Sequence, residues 1–445
     1  MRRIYEDNAY GDGPVAGCYW DATIERPARG AALSGVVRAE VAVIGGGFTG
    51  LSAALHLARD HGVDVAVLEA NGIGWGASGR NGGFACIGGA KASDAELVSR
   101  FGAEGLAEWN RAQIASANLV ASLLDRHKIE ADTHSHGGEV VVAHRSKDMD
   151  ALRKDAPVLG RNYGVDVEVI ERDELAAQGL AGPQFHGAIR FPLGFALNPL
   201  KYVLGLVRAA RDAGARIFEQ SAVTRIEREG SGYVLHCANG QLHAKKLILA
   251  TNGYSSDDLP EWMRARYLPA QSCVLVTRPL SDAEIAAQGW SSDQMAYDTR
   301  RLLHYFRLMP NRQFLFGMRG GVRATPAAHA ALQSTIRRDF ETMFPAWAGV
   351  ETPYFWSGLV CLSRNLTPYV GPIGDWPNAW AGYAYHGNGV LMGSYAGELL
   401  AGLATGKATV PAVMAAPPKR FPFGPWRRGL LAMAYGWYGL QDRGS

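Results

Sequence analysis

The chain has 445 residues, of which 47% are hydrophobic, 20% charged and 10% aromatic, a balance that excludes a disordered protein. Its 45 Lys+Arg against 42 Asp+Glu leave a formal charge of +3 without a basic stripe, which argues against nucleic acid as a partner. At about 150 residues per domain, two or three interleaved domains are expected.

The opening MRRIYEDNAY is polar and lacks an apolar stretch, and no run reaches the roughly 18 apolar residues of a membrane span. Residues 1–38 hold isolated aromatics and the turn formers Gly11, Asp12, Gly13, Pro14, Pro27 and Gly30, which suggests an arm lying on the body. Val41, Ala42, Val43 and Ile44 form an unalternating apolar run, the pattern of a parallel strand covered on both faces. Three glycines follow. Leu51, Ala54, Leu55 and Ala58 then recur at helical spacing over 48–60, Gly62 supplies a stop, and 63–68 returns to strand character. Strand, glycine turn, helix and strand make a βαβ unit.

Farther on, 93–128 reads as one or two helices and 139–143 as a strand. Asn198 before Pro199 predicts a helix entry, with the helix running to about Asp212 before Gly214. A short strand around Ile217, a run over 222–227, a strand over 233–237 and a strand ending LILATNG read as a meander feeding a buried strand. Residues 267–360 contain β-type runs at 272–277, 302–308 and 313–318 and suggest a separate sheet. From Trp380 the pattern is strand, glycine turn and helix, and the chain closes on PWRRGLLAMAYGWYGL. That tail suits a membrane surface, although a helix docked on its own domain with its apolar face buried is the simpler account. Deleting 425–445 is then expected to lower stability and give insoluble protein.

Five cysteines, Cys18, Cys86, Cys237, Cys273 and Cys361, lie no nearer than 36 positions apart, which excludes a CxxC pair and a disulfide scaffold. A reducing, cytoplasmic setting fits. His134 and His136 flank Ser135 with no third ligand in register, so they read as polar loop residues, and no metal is expected.

The chemistry begins at Gly45, Gly46, Gly47, Phe48, Thr49 and Gly50, a GxGxxG element. Gly45 permits a tight turn, Gly47 lets a pyrophosphate approach the backbone, and Gly50 lets helix and strand pack closely. Glu69 follows 19 residues after Gly50, at the end of the second strand, where a carboxylate can accept ribose hydroxyls. Next comes ANGIGWGASGRNGG, a glycine-dense stretch holding Ser78, Arg80 and Asn81. Together with ILATNG (248–253) and GYAYHGNGVLMGSYAGELL (382–400), these segments resemble the FAD-dependent oxidoreductases of the D-amino-acid oxidase and glycine oxidase superfamily, in particular the bacterial gamma-glutamylputrescine oxidoreductase branch.

The resemblance implies an α/β (α+β overall) fold: a glutathione-reductase-like FAD-binding Rossmann domain interleaved with an antiparallel-sheet substrate domain. Segments 39–90, 196–256 and 361–424 would build the first, 257–360 the second, and 91–195 a mixed helical and substrate-domain part, with 425–445 a tail helix. It implies FAD as cofactor, with Gly45, Gly47, Gly50 and Glu69 on the ADP half, aided by Phe48, Thr49 and Ala70. Trp75, Gly76, Ala77, Ser78, Arg80, Asn81, Gly82 and Gly83 would follow the cofactor onward, joined by Val223, Ala250, Thr251 and Asn252. Gly387, Asn388, Gly389 and Val390 would place a helix N-terminus at the flavin pyrimidine. Arg80 could instead hold its own loop, and Cys86 could attach flavin or be a small buried hydrophobe, the plainer reading.

The implied reaction is hydride transfer from the carbon of a small amine to flavin N5, with imine hydrolysis and an acceptor that is oxygen or another oxidant. Where the branch reads GYSGHGV this chain has AYHGNGV, and Val360 stands where glycine oxidase-like members carry an arginine. An amine whose carboxylate is remote or absent is therefore expected, unless Arg307, Arg319 or Arg364 substitutes. Tyr305, Phe306, Phe316, Trp356 and Tyr385 are candidate pocket walls, and His386, Tyr305, Arg319 and Arg364 candidate substrate or catalytic groups. No lysine occurs between Lys246 and Lys407, so any cation that assists oxygen is expected to come from elsewhere. The rival readings are a non-catalytic FAD-binding relative, a subunit of a larger complex, and an NAD(P)-dependent dehydrogenase using only the first βαβ unit.

Overall fold

The computed structural model describes residues 1–11 and 16–443, so Asp12, Gly13 and Pro14 of the expected arm lie outside the described residues. Strand β1 (Gly35–Ile44) leads into helix α1 (Phe48–His61) and then β2 (Val65–Leu68). β1 starts six positions before the apolar run, so the last residues of the expected arm are strand. Its exposed first half shows no apolar run, because its partner fixes it. β1 runs parallel to Gly240–Leu249 from Gly35 opposite Gly240 to Ile44 opposite Leu249. Val41 to Ile44 also pair in parallel with Val65 to Leu68. α1 covers this sheet with Leu51, Leu55 and Leu57 fully buried, and Gly62 ends it in the left-handed region at φ +61°.

The first sheet runs Tyr369–Pro372, Ala379–Tyr383, Gly240–Leu249, β1, β2, Arg216–Phe218. The meander is present as Arg225–Glu229, Gly232–His236 and Gly240–Leu249. The helix Pro199–Asp212 opens as the dipeptide predicts, with the Asn198 side chain accepting hydrogen bonds from the Leu200 and Lys201 N–H groups. The long helix Asp94–Arg126 starts at Ser93 with a capping box to Glu96 and is kinked at Gly102, whose φ is +75°.

The second sheet runs Tyr354–Leu362, Leu268–Val276, Phe314–Arg319, His304–Leu308, Met295–Asp298, Glu139–Val142, Gly187–Phe191, Glu168–Glu171. It is antiparallel except that Met295–Asp298 and Glu139–Val142 are parallel, because strands from 139–191 join those from 268–362. One face carries an aromatic core. Phe306 and Phe316 are fully buried in it, stacked 5.9 Å apart, with Phe344 5.3 Å from Phe306. Neither is a pocket wall, since alternation turns Phe306 inward and Tyr305 to the opposite face. Trp356 is also core, donating its indole N–H to the Arg80 carbonyl at 2.7 Å.

The tail forms a helix, Arg427–Arg443. Its apolar face is not buried as expected: Leu431 is covered, but Trp426, Met433, Trp437 and Leu440 are 82%, 66%, 61% and 66% exposed. The helix is held by the buried Arg427 ion pair at its first turn, by Leu431 against Leu268 and Ala270, and by Asp442, which accepts from the Arg301 and Leu302 N–H groups. Among the described residues no helix is long and apolar enough to cross a membrane.

Candidate active site

Two cavities adjoin between the sheets. The first begins at the turn after β1, passes Glu69 and Ala70, then Trp75, Gly76, Ala77, Ser78 and Asn81, and ends at Gly387, Gly389 and Val390. Val223, Ala250, Thr251 and Asn252 complete its wall. Its backbone is drawn tight by side chains: Gly46 and Asn71 N–H donate to the two Glu69 oxygens at 2.7 and 2.9 Å, and Phe48 N–H donates to Ser78 Oγ at 2.9 Å. Burial raises the Glu69 pKa, and the Asn71 and Gly46 N–H groups partly offset it. A Cβ at Gly47 would lie 2.8 Å from Ser78 Oγ, so only glycine leaves this cradle open to a phosphate.

Several residues expected on the cofactor do not line this cavity. Gly50 does not line the cavity, because it sits against the Gly45 carbonyl where α1 crosses β1. Gly83 meets the Leu197 carbonyl, its own carbonyl accepting from Leu197 N–H at 2.9 Å, and lines neither cavity. Arg80, Gly82 and Asn388 line the second cavity. Arg80 also holds its loop: its Nε donates to the Trp75 carbonyl at 2.8 Å and its guanidinium lies 4.4 Å over the Trp75 ring. Tyr385, expected on the substrate, belongs to the first cavity, its hydroxyl 2.9 Å from Thr49 Oγ1.

The second cavity lies beside the first, on the substrate-domain side expected from the sequence. It is walled by Val274, Leu303, Tyr305 and Val360, and into it come Arg319, Lys91 and Glu139. The Tyr305 hydroxyl bonds Ser272 Oγ at 3.0 Å, and burial pushes its pKa up to about 12. Of the three candidate arginines only Arg319 is here. Arg307 is fully buried and donates to the Gly83 and Leu197 carbonyls at 2.8 and 3.0 Å. Arg364 lies on the surface and donates to the Arg420 carbonyl at 2.9 Å. Arg319 donates to the His386 carbonyl at 2.8 Å, at the border of the two cavities. Cys86 is not a core hydrophobe but half-buried in the cavity wall, 3.2 Å from Asn388 Nδ2.

Residues 40–403 match the family of FAD dependent oxidoreductases named DAO. The chain belongs to this family. It is 30% identical over 428 residues to gamma-glutamylputrescine oxidoreductase of Escherichia coli (strain K12), covering 96% of this chain and 98% of that one. It is 32% identical over 432 residues to a probable oxidoreductase, OrdL, of Rhizobium meliloti (strain 1021), covering 96% and 97%. Glycine oxidase from Geobacillus kaustophilus has the same fold, with a TM-score of 0.69 at 20% identity over 86% of this chain and 99% of that one. The DAO match runs far past the first βαβ unit and sets aside the NAD(P)-dependent reading.

His386 stands where the DAO relatives of this branch were expected to have serine, and the fold employs both its nitrogens. Nδ1 donates to the Gly89 carbonyl at 2.8 Å and Nε2 accepts from Ser363 N–H at 3.1 Å, so neither is free for a substrate. The ring is fully buried, and burial lowers its pKa from 6.5 to about 4. The folded protein therefore resists a proton that the unfolded chain accepts below 6.5. Stability present above that pH falls as pH drops toward 4, by about 2 kcal/mol at pH 5. Urea melts at pH 7 and pH 5 should show this loss in the wild type and a smaller one in His386→Gln.

Lys91 and Glu139 are functional candidates that sequence reasoning missed. The lysine-free stretch spans only 246–407, whereas Lys91 arrives from the loop just after the glycine-dense stretch. Glu139 had one signal, a charge heading the apolar run EVVV.

Proposed function

We propose that this chain holds FAD along the first cavity and oxidises the C–N bond of a primary or secondary amine, or an amino-acid derivative, bound in the second. The observation that carries the reading is the shared border: Ala77, Asn81, Leu359, Val360, Gly387 and Val390 line both cavities. A molecule in one touches a molecule in the other there. When bound, FAD supplies the acceptor for the hydride leaving the amine-bearing carbon, and water hydrolyses the resulting imine.

The protein's own contribution is to select the reactive form of the amine. A free alkylamine has a pKa of about 10 and is mostly charged in water. Apolar walls at Val274, Leu303 and Val360, with the Arg319 cation at the border, favour the neutral form, whose lone pair makes the carbon a hydride donor. The helix Gly389–Thr405 begins at the shared border, so its positive end stabilises negative charge developing there.

An anaerobic visible spectrum tests this. FAD-loaded protein should be yellow and should bleach with at least one of a panel of polyamines, gamma-glutamylated amines, N-methyl amino acids and D-amino acids. The rate at which yellow returns in air then separates oxidase from dehydrogenase. Colour that survives the whole panel favours the non-catalytic relative.

Arg319 supports a second reading, an α-amino acid derivative whose carboxylate it pairs, because it reaches the border itself. On that reading Arg319→Met raises KM for a bleaching N-methyl or D-amino acid about 10- to 100-fold, the worth of one charge-assisted hydrogen bond. An unchanged KM assigns the carboxylate elsewhere.

A further inference from the structure

The tail helix Arg427–Arg443 turns Arg427 and Asp442 toward the body and most of its large apolar residues toward solvent, the reverse of a helix that covers a core. Arg427, Leu431, Tyr435 and Asp442 recur at helical spacing on the inward side, where Leu431 and Tyr435 meet Leu268 and Ala270. Met433, Trp437 and Leu440 recur on the opposite side, and Trp426, seven positions before Met433, extends their stripe. Phe423, 71% exposed, precedes it. A contiguous exposed stripe of this kind marks an interaction surface.

The free charges at both ends of the stripe are basic. Lys419 and Arg420 are exposed just before it, and exposed Arg364 donates to the Arg420 carbonyl at 2.9 Å. Arg301 is exposed at the far end, where its N–H meets Asp442. Among the described residues none of these four cations takes part in an ion pair. The acids in or bonded to the helix already have partners: Asp257 holds Arg427, Glu6 holds Arg428 and the Ala324 N–H, and Asp442 holds the Arg301 and Leu302 N–H groups.

We infer that this helix docks flat on an anionic phospholipid bilayer, with Trp426, Met433, Trp437 and Leu440 in the head-group layer and the flanking cations on lipid phosphates. Tryptophan favours that layer, and an anionic surface attracts Lys and Arg. The helix lies on the bilayer and does not cross it, since among the described residues no helix is long and apolar enough to span. A second copy is the poorer occupant. Two stripes laid together, parallel or antiparallel, bring basic ends against basic ends, and like charges oppose such an interface. The inference stands apart from the amine-oxidation reading, but it locates the site. Val360, which lines both cavities, packs against the cluster of Leu268, Ala270 and Leu431, one helix away from the lipid.

The test is cosedimentation of the full chain with vesicles of phosphatidylcholine alone and of equal parts phosphatidylcholine and phosphatidylglycerol, beside light scattering without lipid. The wild type should pellet with the mixed vesicles, at least about tenfold more strongly than with phosphatidylcholine alone. Combining Met433→Gln, Trp437→Gln and Leu440→Gln should cut that binding about tenfold or more, because apolar side chains no longer enter the lipid. Lys419→Gln with Arg420→Gln should cost about fivefold per charge on mixed vesicles only. A wild type that stays in the supernatant with mixed vesicles overturns the inference, as do equal binding to the two lipids and a stripe variant that pellets like the wild type. A lipid-free dimer that the stripe variant dissociates gives the face to a second copy and overturns it too. Should the stripe variant fail to fold, the wild-type lipid ratio and the Lys419 and Arg420 variant still decide.

Discussion

Gly50→Ala is expected to give a protein that binds no FAD and melts well below the wild type. A Cβ on Gly50 would overlap the carbonyl oxygen of Gly45, with Val43 Cγ1 a further 3.2 Å neighbour. The obstructing atom is backbone and cannot swing aside. Gly45 itself is pinned, at φ +107° with its own Cβ direction blocked by the Ala250 carbonyl at 2.7 Å. Helix α1 would have to lift off β1, opening contacts made by Leu51 and Leu55, both fully buried. Overpacking of this kind costs about 1–3 kcal/mol, and here it also moves the N–H groups that would meet the pyrophosphate. Gly47→Ala supplies the contrast, because its nearest neighbour is the end of a side chain, Ser78 Oγ. That variant should keep its melting temperature and lose only FAD affinity. Thermal melts with flavin absorbance measure both, and a Gly50→Ala protein that is yellow and melts normally would refute the packing account.

What could be read in advance was local. The turn at Gly45, the helical spacing of Leu51, Ala54 and Leu55, and the cap at Asn198 depend on neighbours a few residues away, and the structure places each as read. The wall of the second cavity depends on distant pairing. Glu139 reaches the cavity because its strand runs parallel to Met295–Asp298, some 150 positions on, and nothing in EVVV announces that partner. The arginines show the same limit. Tyr305 and Arg307 share one face of their strand and Phe306 takes the other, as alternation requires. Both faces are covered, so the sequence cannot tell which meets a cavity. Arg307 ends on the Gly83 and Leu197 carbonyls, while Arg319, on the adjacent strand Phe314–Arg319, reaches the His386 carbonyl at the border of the two cavities.

Arg427→Ala is expected to lower unfolding free energy by about 3–5 kcal/mol, because it leaves a buried carboxylate without its cation. Arg427 is fully buried, and its two terminal nitrogens donate to the Asp257 oxygens at 2.9 and 2.6 Å, with further bonds from Nε to the Tyr267 carbonyl and from Nη1 to the Gly424 carbonyl. Removing the arginine deprives all three acceptors at once. This places the largest part of the tail's contribution in its first turn, ahead of the Leu431 contact and the exposed stripe beyond it. Deleting 425–445 takes away Arg427 and should destabilise the fold as strongly as the point change. Deleting only 429–445 keeps the pair and removes exposed Met433, Trp437 and Leu440, at the cost of the Leu431 contact with Leu268 and Ala270 and of the Asp442 bonds to Arg301 and Leu302 N–H. Urea melts should rank the shorter deletion above the longer one. If the two deletions melt alike, the stripe and not the buried pair holds the tail, and the assignment to Arg427 fails.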